Sequence, residues 1–357
     1  MPKKTISAII VVAALIACSM IFLAGRHPDL PNQSHQSNYS LPIAERRFLI
    51  GTVPTPKSVP ETTFSDIANA YQEAASLGEV VMIWPSETGI GEFDQLNKSR
   101  VVEGARVYGL KIVITLNFAT ITNAGGAGLE YLIDAPPGVP ADLSDPQFID
   151  LWVAEAEAIA REFKPEYMSL GNEVNDYFYS HPDDFGAYLA LLDRAYAAIK
   201  GVSELTKVMV VFSYNHMTEN DQFWMLAPLS NRTDLIGLTT YPWKQFGTPE
   251  EIPDDYYLRI ANFTDKKLAF TEIGWASSPG AGCSEREQAE FLMQFLRLTR
   301  GLDVEMVNWL FLHEIKIGGT VASVADPATA SVSLKNPDGS KKEVYYLWQD
   351  LKGLRIS

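Results

Sequence analysis

The sequence predicts a (β/α)8 TIM barrel, a single domain in which eight parallel strands form a ring and a helical connection follows each strand. From Arg47 onward, short β-branched runs alternate with longer segments of helical periodicity. There are eight such runs, and several are apolar at consecutive positions, as expected of strands covered on both faces. A doubly wound sheet is disfavoured, because Gly51-Thr52-Val53-Pro54 is not the glycine-rich turn of a dinucleotide-binding fold.

Each element follows from a local pattern. The apolar runs predict strands at Arg47–Val53, Glu79–Trp84, Lys111–Phe118, Tyr167–Glu173, Lys207–Tyr214, Asp234–Tyr241, Lys267–Trp275 and Val304–Leu312. Helical periodicity predicts helices at Phe64–Leu77, Ser99–Tyr108, Pro146–Phe163, Phe185–Lys200, Glu285–Thr299 and Lys342–Leu351. Asp145 before Pro146, and Ser284 with Glu287, are helix-start signals. Irregular stretches at Thr120–Ser144 and His313–Ser340 follow strand C-termini, on the face where barrels carry their active sites.

The first 45 residues are predicted to lie outside the barrel, which we place at residues 46–357. Lys3 and Lys4 precede an apolar run from Ile6 to Ala24, so residues 1–25 fit a signal segment or a membrane anchor. Leu-Ile-Ala-Cys ending at Cys18 also resembles a bacterial lipobox, in which the cysteine is lipidated. Residues 26–45 are a predicted flexible tether. The barrel is thus expected outside the cytoplasm, anchored by the helix or by lipidated Cys18, or secreted if the segment is cleaved.

Composition excludes several classes of protein and partner. A formal net charge of −15 argues against binding to a nucleic-acid backbone, which requires a basic surface. The two cysteines, Cys18 and Cys283, cannot form a disulfide framework, because the first lies in the apolar N-terminal segment. No paired histidine motif with metal-ligand spacing occurs. We therefore predict no metal and no cofactor, and a neutral polymer remains a suitable ligand.

Two acidic residues stand at the predicted C-terminal ends of apolar strands. Glu173 lies in Ser-Leu-Gly-Asn-Glu-Val-Asn on the fourth strand, and Glu272 lies in Phe-Thr-Glu-Ile-Gly-Trp on the seventh. A carboxylate is costly to bury in a strand unless it is paired or functional, and the C-terminal face is where a desolvated carboxylate has a use. Because these strands face one another across a barrel mouth, the two carboxylates are predicted to share one site.

This arrangement resembles clan A of the retaining glycoside hydrolases, with Asn-Glu ending strand four, Tyr ending strand six and Glu ending strand seven. The segments around Glu173 and Glu272 are most similar to those of endo-β-1,4-galactanases and β-1,3-glucanases, and the resemblance covers the chain after the tether. It implies retaining hydrolysis of β-glycosidic bonds in a polysaccharide or oligosaccharide, with Glu173 as general acid/base and Glu272 as nucleophile. A retaining pair lies about 5 to 5.5 Å apart.

The resemblance also implies roles for neighbouring residues. Asn172 would hold the sugar 2-hydroxyl, Tyr241 would donate a hydrogen bond to Glu272, and Trp309 would be the sugar-stacking platform. An ordinary turn for Tyr241 and a core position for Trp309 are the structural alternatives. The platform would be extended by Trp275, Trp243 and Trp84, and polar substrate contacts are expected from His216 and Asn117.

The sequence departs from clan A at one point. Many members carry an arginine on strand two near the nucleophile, and Glu79–Trp84 contains none. Either another donor, His216 or His313, replaces it, or the electrostatics around Glu272 differ from those of the clan. We interpret Glu314 as a solvated loop charge. Two other functions stay open: a transglycosylase that uses the same site, and a barrel that binds glycans without cutting them.

Overall fold

Eight parallel strands pair in chain order, and the eighth pairs with the first, so that the sheet closes into a barrel. The structure is a computed structural model that describes residues 39–57, 62–83, 89–122, 130–315 and 327–357. The predicted (β/α)8 fold is confirmed. The barrel strands are β1 (Leu49–Val53), β2 (Val80–Ile83), β3 (Lys111–Thr115), β4 (Tyr167–Ser169), β5 (Lys207–Ser213), β6 (Leu235–Thr240), β7 (Lys267–Ile273) and β8 (Val304–Phe311).

Strand β4 is shorter than the sequence predicts. The prediction extended it to Glu173, whereas the pairing ends at Ser169. Gly171 has φ +129° and Glu173 has φ +50°, so the backbone leaves the extended region between them. The chain therefore turns sharply at the C-terminal edge of the barrel, and this turn carries Glu173.

The helices pack around the barrel and fill the connections. They are α1 (Phe64–Leu77), α2 (Glu92–Ser99), α3 (Val101–Val107), α4 (Pro146–Phe163), α5 (Val174–Ser180), α6 (Phe185–Val202), α7 (Tyr214–Glu219), α8 (Glu285–Leu298), α9 (Pro327–Ala330) and α10 (Glu343–Gly353). The predicted start signals are present, since Asp145 accepts from the backbone of Gln147 and Phe148, and Ser284 accepts from Glu287 N. Helices α1 and α4 have the predicted bounds.

A β-hairpin follows strand β3, where the sequence predicted irregular structure. Ala119–Thr122 pairs antiparallel with Glu130–Ile133. Thr120 and Thr122 alternate with Ile121, which is a strand pattern too short to be distinguished from a loop in the sequence. The hairpin brings Tyr131 to the C-terminal edge of the barrel, where its hydroxyl contacts Asp176.

The segment after strand β8 is held by a buried lysine. Lys342 Nζ is within 2.7 to 3.1 Å of Ser277 Oγ, Ser331 O, Ser333 Oγ and Glu314 Oε2, and its side chain is fully buried. The interpretation of Glu314 as a solvated charge is therefore wrong, because this carboxylate pairs with Lys342 beneath the loop. The contact fixes the connection after β8 against the one after β7.

The predicted N-terminal signal segment or anchor, including Cys18, lies outside the described residues. Tyr39, Leu41 and Ile43, near the end of the predicted tether, pack against the barrel core, and Tyr39 Oη donates to Glu343 Oε2 over 3.0 Å. Among the residues that the structure describes, no helix has the length and apolar character needed to cross a membrane. Cys283 is free and buried.

Candidate active site

Glu173 and Glu272 lie at the C-terminal edge of the barrel. Glu173 occupies the N-cap position of α5, directly after the turn that ends β4. Its backbone angles are left-handed, with φ 50° and ψ 41°. A non-glycine residue in this region costs about 1 kcal/mol, and such strain clusters at functional sites. The fold therefore tolerates a backbone penalty at the residue that the sequence singles out.

Glu272 is aimed by an irregularity in strand β7. Pairing with β6 runs Leu238 to Phe270 and then Thr239 to Glu272, so one residue of β7 is extra. A bulge of this kind re-aims the side chains that follow it and is frequent beside active sites. Glu272 is only 4% exposed. Its side chain is thus directed into the mouth of the barrel and largely removed from water.

Within the described part of the chain, hydroxyl groups donate hydrogen bonds to the two carboxylates, and no cation forms an ion pair with either of them. Thr239 Oγ1 donates to Glu173 Oε1 over 2.6 Å, and Tyr241 Oη donates to Glu272 Oε2. Glu272 Oε1 is buried and has no hydrogen-bond partner within the described part of the chain. One oxygen of Glu272 is therefore fixed by Tyr241, as the sequence predicted, and the other is free to react.

The two carboxylates behave as one titrating pair. Burial is the largest cause of the raised pKa of Glu173, and the nearby Asp176 carboxylate adds to it. Burial and the Glu173 charge raise the pKa of Glu272 to about 8, while Tyr241 and Asn172 act in the opposite direction. Since neither group can ionise without regard to the other, the pair is expected to hold one proton through neutral pH.

Asn172 stands between Asn117 and the carboxylates. Asn172 N donates to Asn117 Oδ1 over 2.9 Å, and Asn117 O in turn accepts from Trp152 Nε1 over 2.9 Å. Asn172 Oδ1 is buried without a partner among the described residues. Glu272 Oε1 also lacks a partner there, while the Asn172 side chain lies near enough to lower the pKa of Glu272. Unsatisfied acceptors match the hydroxyl donors of a sugar. Asn117 positions the site through Asn172.

Two of the predicted sugar platforms, Trp309 and Trp275, are not at the mouth. Trp309 and Trp275 have no exposed surface, and both pack against Phe291 of helix α8. Trp309 Nε1 donates to Val332 O over 2.6 Å. Both indoles therefore face the helical layer, and the core alternative describes Trp309 in this structure. Trp84 lies outside the described residues.

Trp243 is the aromatic residue that the structure brings to the mouth beside Tyr241. Their ring centroids are 5.2 Å apart at an interplanar angle of 68°, and Trp243 is partly exposed. Lys244 Nζ lies 5.5 Å from the Tyr241 ring centroid and 5.6 Å from that of Trp243. An exposed indole edge with a cation over it gives the mouth one aromatic surface for a pyranose.

Lys244 supplies positive charge where the sequence lacks the strand-two arginine. Its charge lowers the pKa of both Glu173 and Glu272. His313 is buried away from them, with Nδ1 2.9 Å from Thr55 O, and burial lowers its pKa. The expectation that His313 fills the role of the arginine is wrong, since its ring is engaged by the loop after β1.

His216 faces Asp176, a residue that the sequence analysis did not single out. Its Nδ1 lies 2.7 Å from Asp176 Oδ1, and this contact raises the pKa of His216. Asp176 follows Glu173 by three residues and lies in the first turn of α5, directly after the N-cap position that Glu173 occupies. That spacing was the available signal for Asp176. Thr239 and Tyr131 carried no comparable signal, because a hydroxyl on a strand is ordinary.

Residues 156–306, which include both glutamates, match the sequence model of Glycosyl hydrolase family 53. This match confirms the resemblance to clan A glycoside hydrolases. No protein of curated function matches the chain by sequence. In the part of the chain that is described, no group of three or more His, Cys, Asp or Glu side chains is placed to hold a metal ion.

Solved structures share the fold at low sequence identity. An exo-β-1,4-mannosidase from Opitutaceae bacterium strain TAV5 is 16% identical with a TM-score of 0.65, over 87% of this chain and 60% of that one. A GH5_18 protein from Streptomyces cattleya, in complex with Manβ1-4GlcNAc, is 14% identical with a TM-score of 0.63, over 87% and 81%. β-Glucuronidase 2 of Bacteroides uniformis, bound covalently to cyclophellitol-6-carboxylate aziridine, is 13% identical with a TM-score of 0.56, over 85% and 35%. This chain thus spans about three fifths of the mannosidase.

Proposed function

We propose that this barrel is a retaining glycoside hydrolase that cleaves β-linked polysaccharides or oligosaccharides, with Glu173 as general acid/base and Glu272 as nucleophile. The observation that carries the proposal is the carboxylate pair at the mouth. Both groups are desolvated, neither has an ion-pair partner among the described residues, and their raised pKa values let one hold a proton while the other is ionised. The match to a glycoside hydrolase family supports this chemistry.

In the proposed mechanism, the two oxygens of Glu272 have different roles. Glu173 donates its proton to the glycosidic oxygen while Glu272 Oε1, the oxygen without a partner, attacks the anomeric carbon and the bond to the leaving sugar breaks. Tyr241 keeps Oε2 in place during the attack. Glu173, now ionised, takes a proton from water, and that water displaces Glu272 from the anomeric carbon. Both carboxyl groups return to their starting protonation.

A β-1,4-galactan is the first substrate class to test, and β-1,4-mannosides are the second. The family match and the segments around both glutamates favour the galactan. The mannosidase and the Manβ1-4GlcNAc complex among the structural neighbours favour the mannoside. Asn172 Oδ1 and Glu272 Oε1 would accept hydroxyl hydrogens of either sugar, because both oxygens lack a donor in the described structure.

The test compares the full-length chain in detergent with three variants on galactan, glucan, mannan and xylan. Glu272→Gln should lose at least about a thousandfold in kcat, since nothing replaces the nucleophile. Glu173→Ala should lose activity on polymers but retain it on aryl glycosides, whose leaving groups need no acid. Glu250→Gln, an exposed carboxylate on the connection before β7, is the control and should behave as wild type.

The products decide between the candidate functions. Release of the β-anomer, followed by NMR, together with a covalent adduct of a cyclophellitol aziridine on wild type but not on Glu272→Gln, is the expected result. Longer products at high substrate concentration would indicate transglycosylation. Tight binding of one polymer without cleavage, unchanged in Glu272→Gln, would contradict the enzyme and favour a glycan-binding barrel.

We also propose that the barrel is exported and membrane-anchored through its N-terminal segment. Lys3 and Lys4 before the apolar run from Ile6 to Ala24 support retention of the N-terminus on the cytoplasmic side. Cell fractionation of the full chain tests the anchor, and Cys18→Ala distinguishes its chemistry. Loss of fatty-acid labelling and of membrane attachment in Cys18→Ala indicates lipidation, unchanged attachment indicates an uncleaved helix, and recovery of wild type in the medium indicates secretion.

A further inference from the structure

The proposed mechanism requires the shared proton to reside on Glu173, and burial alone does not put it there. Glu272 is 4% exposed whereas Glu173 is partly exposed, so desolvation by itself favours protonation of Glu272. The hydrogen bond from Tyr241 favours the ionised form of Glu272, but Thr239 donates a similar bond to Glu173. A further group must distinguish the two carboxylates.

Asp176 lies where its charge can distinguish Glu173 from Glu272. It lies three residues after Glu173 in the first turn of α5, and its backbone N donates to Glu173 O over 3.0 Å. Its side chain is nearly buried, and both of its oxygens are engaged. Tyr131 Oη donates to Oδ2 over 3.0 Å, and His216 Nδ1 lies 2.7 Å from Oδ1. Two donors from two different connections therefore hold the carboxylate in one position.

This network joins three elements around the acid/base residue. Tyr131 comes from the hairpin after β3, Asp176 from the helix after β4, and His216 from α7, which follows β5. An exposed salt bridge needs only two side chains, whereas Asp176 is held by groups from two other connections. A carboxylate held rigidly beside another carboxylate instead makes ionisation of its neighbour unfavourable, as like charges do at short range.

We propose that Asp176, fixed between Tyr131 and His216, is the positioning residue that keeps the shared proton on Glu173. The inference rests on the proposed hydrolase mechanism. The Asp176 charge opposes ionisation of Glu173 more than that of Glu272, because Asp176 lies in the first turn of the helix whose N-cap position Glu173 occupies, whereas Glu272 is on β7. It offsets the deeper burial of Glu272 and gives each carboxylate the protonation state that its step needs.

Several charged groups face this network and set its pH dependence. Glu173 is faced by Glu272 from β7, by Asp176 and His216, and by Lys244 after β6. His216 is faced in addition by Glu219 on its own helix. As the pH rises and His216 loses its proton, the Asp176 charge is no longer neutralised, so Glu173 retains its proton to higher pH.

The test is Asp176→Asn in the full-length chain, with pH profiles of kcat/KM on two kinds of substrate. On substrates with poor leaving groups, the alkaline limb should move to lower pH by about one unit, which lowers the rate about tenfold above the limb. On aryl glycosides with good leaving groups the rate of glycosylation should change little. Asp184→Asn is the matched control, since Asp184 also accepts a tyrosine hydroxyl, that of Tyr177, nearby in the chain.

His216→Gln gives the opposite sign. Removal of the imidazolium leaves the Asp176 charge without its counter-charge, so the alkaline limb should move to higher pH. An equal loss on both substrate types in Asp176→Asn, with an unmoved limb, would show a merely structural role and overturn the proposal. Thermal unfolding of each variant reports whether the fold is intact.

A second measurement does not depend on turnover. In a chain labelled with ¹³C at glutamate carboxyl carbons, the Glu173 signal, assigned from Glu173→Gln, should titrate at lower pH in Asp176→Asn than in wild type. An unchanged titration refutes the inference even if the enzyme is active. A shifted titration in a chain that cleaves none of the polymers supports the role of Asp176 and refutes the proposed function instead.

Discussion

The two ends of the barrel use carboxylates in opposite ways. At the N-terminal end, Glu79, Asp234 and Glu305 are surrounded by cations and hydrogen-bond donors, and the pKa of each is lowered. At the C-terminal end, Glu173 and Glu272 have hydroxyl partners without an ion pair among the described residues, and their pKa values are raised. The same functional group stabilises the fold at one end and is kept reactive at the other.

Glu79 is a carboxylate whose two oxygens both accept hydrogen bonds. Arg46 donates to it through two nitrogens, one of them over 2.8 Å, Lys352 donates to it as well, and Ile50 N donates over 3.1 Å. These contacts outweigh its burial, so its pKa is lowered. It joins the chain before β1, the start of β2 and the last helix. An ionised group with that many partners contributes to stability and has no free oxygen for chemistry.

At the C-terminal end, polar groups lack such partners, and this lowers the stability of the fold. Glu272 Oε1 and Asn172 Oδ1 are buried acceptors without donors among the described residues, and Glu173 has a strained backbone. Active sites commonly contain strained or unsatisfied groups that lower the stability of the fold. The comparison therefore predicts that substitutions at the two ends change stability with opposite signs.

The largest effect is expected for Glu79→Gln. It leaves Arg46, which is 2% exposed, without its counter-charge, and should lower the free energy of unfolding by about 3 kcal/mol in urea titrations. The control is Asp150→Asn, whose pair with Arg194 is exposed and should contribute less than about 0.5 kcal/mol. Equal effects of the two substitutions would remove the distinction between the ends of the barrel.

Lys342→Met should lower the free energy of unfolding by about 2 kcal/mol. The substitution removes the ammonium group that donates to Glu314 Oε2 and to Ser331 O, so both acceptors lose this donor. This residue lies at the catalytic end but outside the carboxylate pair, so kcat should remain close to that of wild type. Lys98→Met, on an exposed helix face, serves as control. A fall in kcat as large as the fall in stability would show that this clamp belongs to the active site.

Glu272→Gln should stabilise the chain by about 1 kcal/mol while it abolishes activity, since a neutral amide replaces a desolvated carboxylate. Thermal unfolding at pH 8 measures the gain, and Glu250→Gln provides the baseline for removal of a surface charge. A destabilised Glu272→Gln variant would mean that the carboxylate contributes to stability, as those at the N-terminal end do.

The smallest effect is the pH dependence of that gain. Because both carboxyl groups of the Glu173–Glu272 pair have raised pKa values in the folded chain, the stability that comes with their protonation is complete below 4.5 and is lost as the pair gives up its protons with rising pH. The gain from Glu272→Gln should thus vanish near pH 4 and grow toward pH 8. For Glu79, whose pKa is lowered, stability is present above 4.5 and lost as pH falls through its folded pKa. The loss in Glu79→Gln should shrink in acid.

Local patterns in the sequence determined the barrel and its reactive residues. Apolar runs and helix caps are short-range signals, so the eight strands and the bounds of α1 and α4 could be predicted within a few residues. Glu173, Glu272 and Tyr241 were found for the same reason, because a residue at the end of a strand is recognised from its own neighbours. The early end of β4 was missed, since nothing in the amino-acid pattern shows that Glu173 adopts a left-handed backbone.

Tertiary structure alone decided which side chains meet. Trp309 and Trp275 face the helices rather than the mouth, and a bulge in β7 sets which way Glu272 points. Asp176 meets Tyr131 from 45 residues away and His216 from 40 residues away in the chain. Such contacts depend on the closure of the barrel, which brings successive connections together at one edge. The sequence by itself therefore determined the fold and pointed to the two carboxylates, and the closed barrel decided which side chains surround them, on which their proposed protonation states depend.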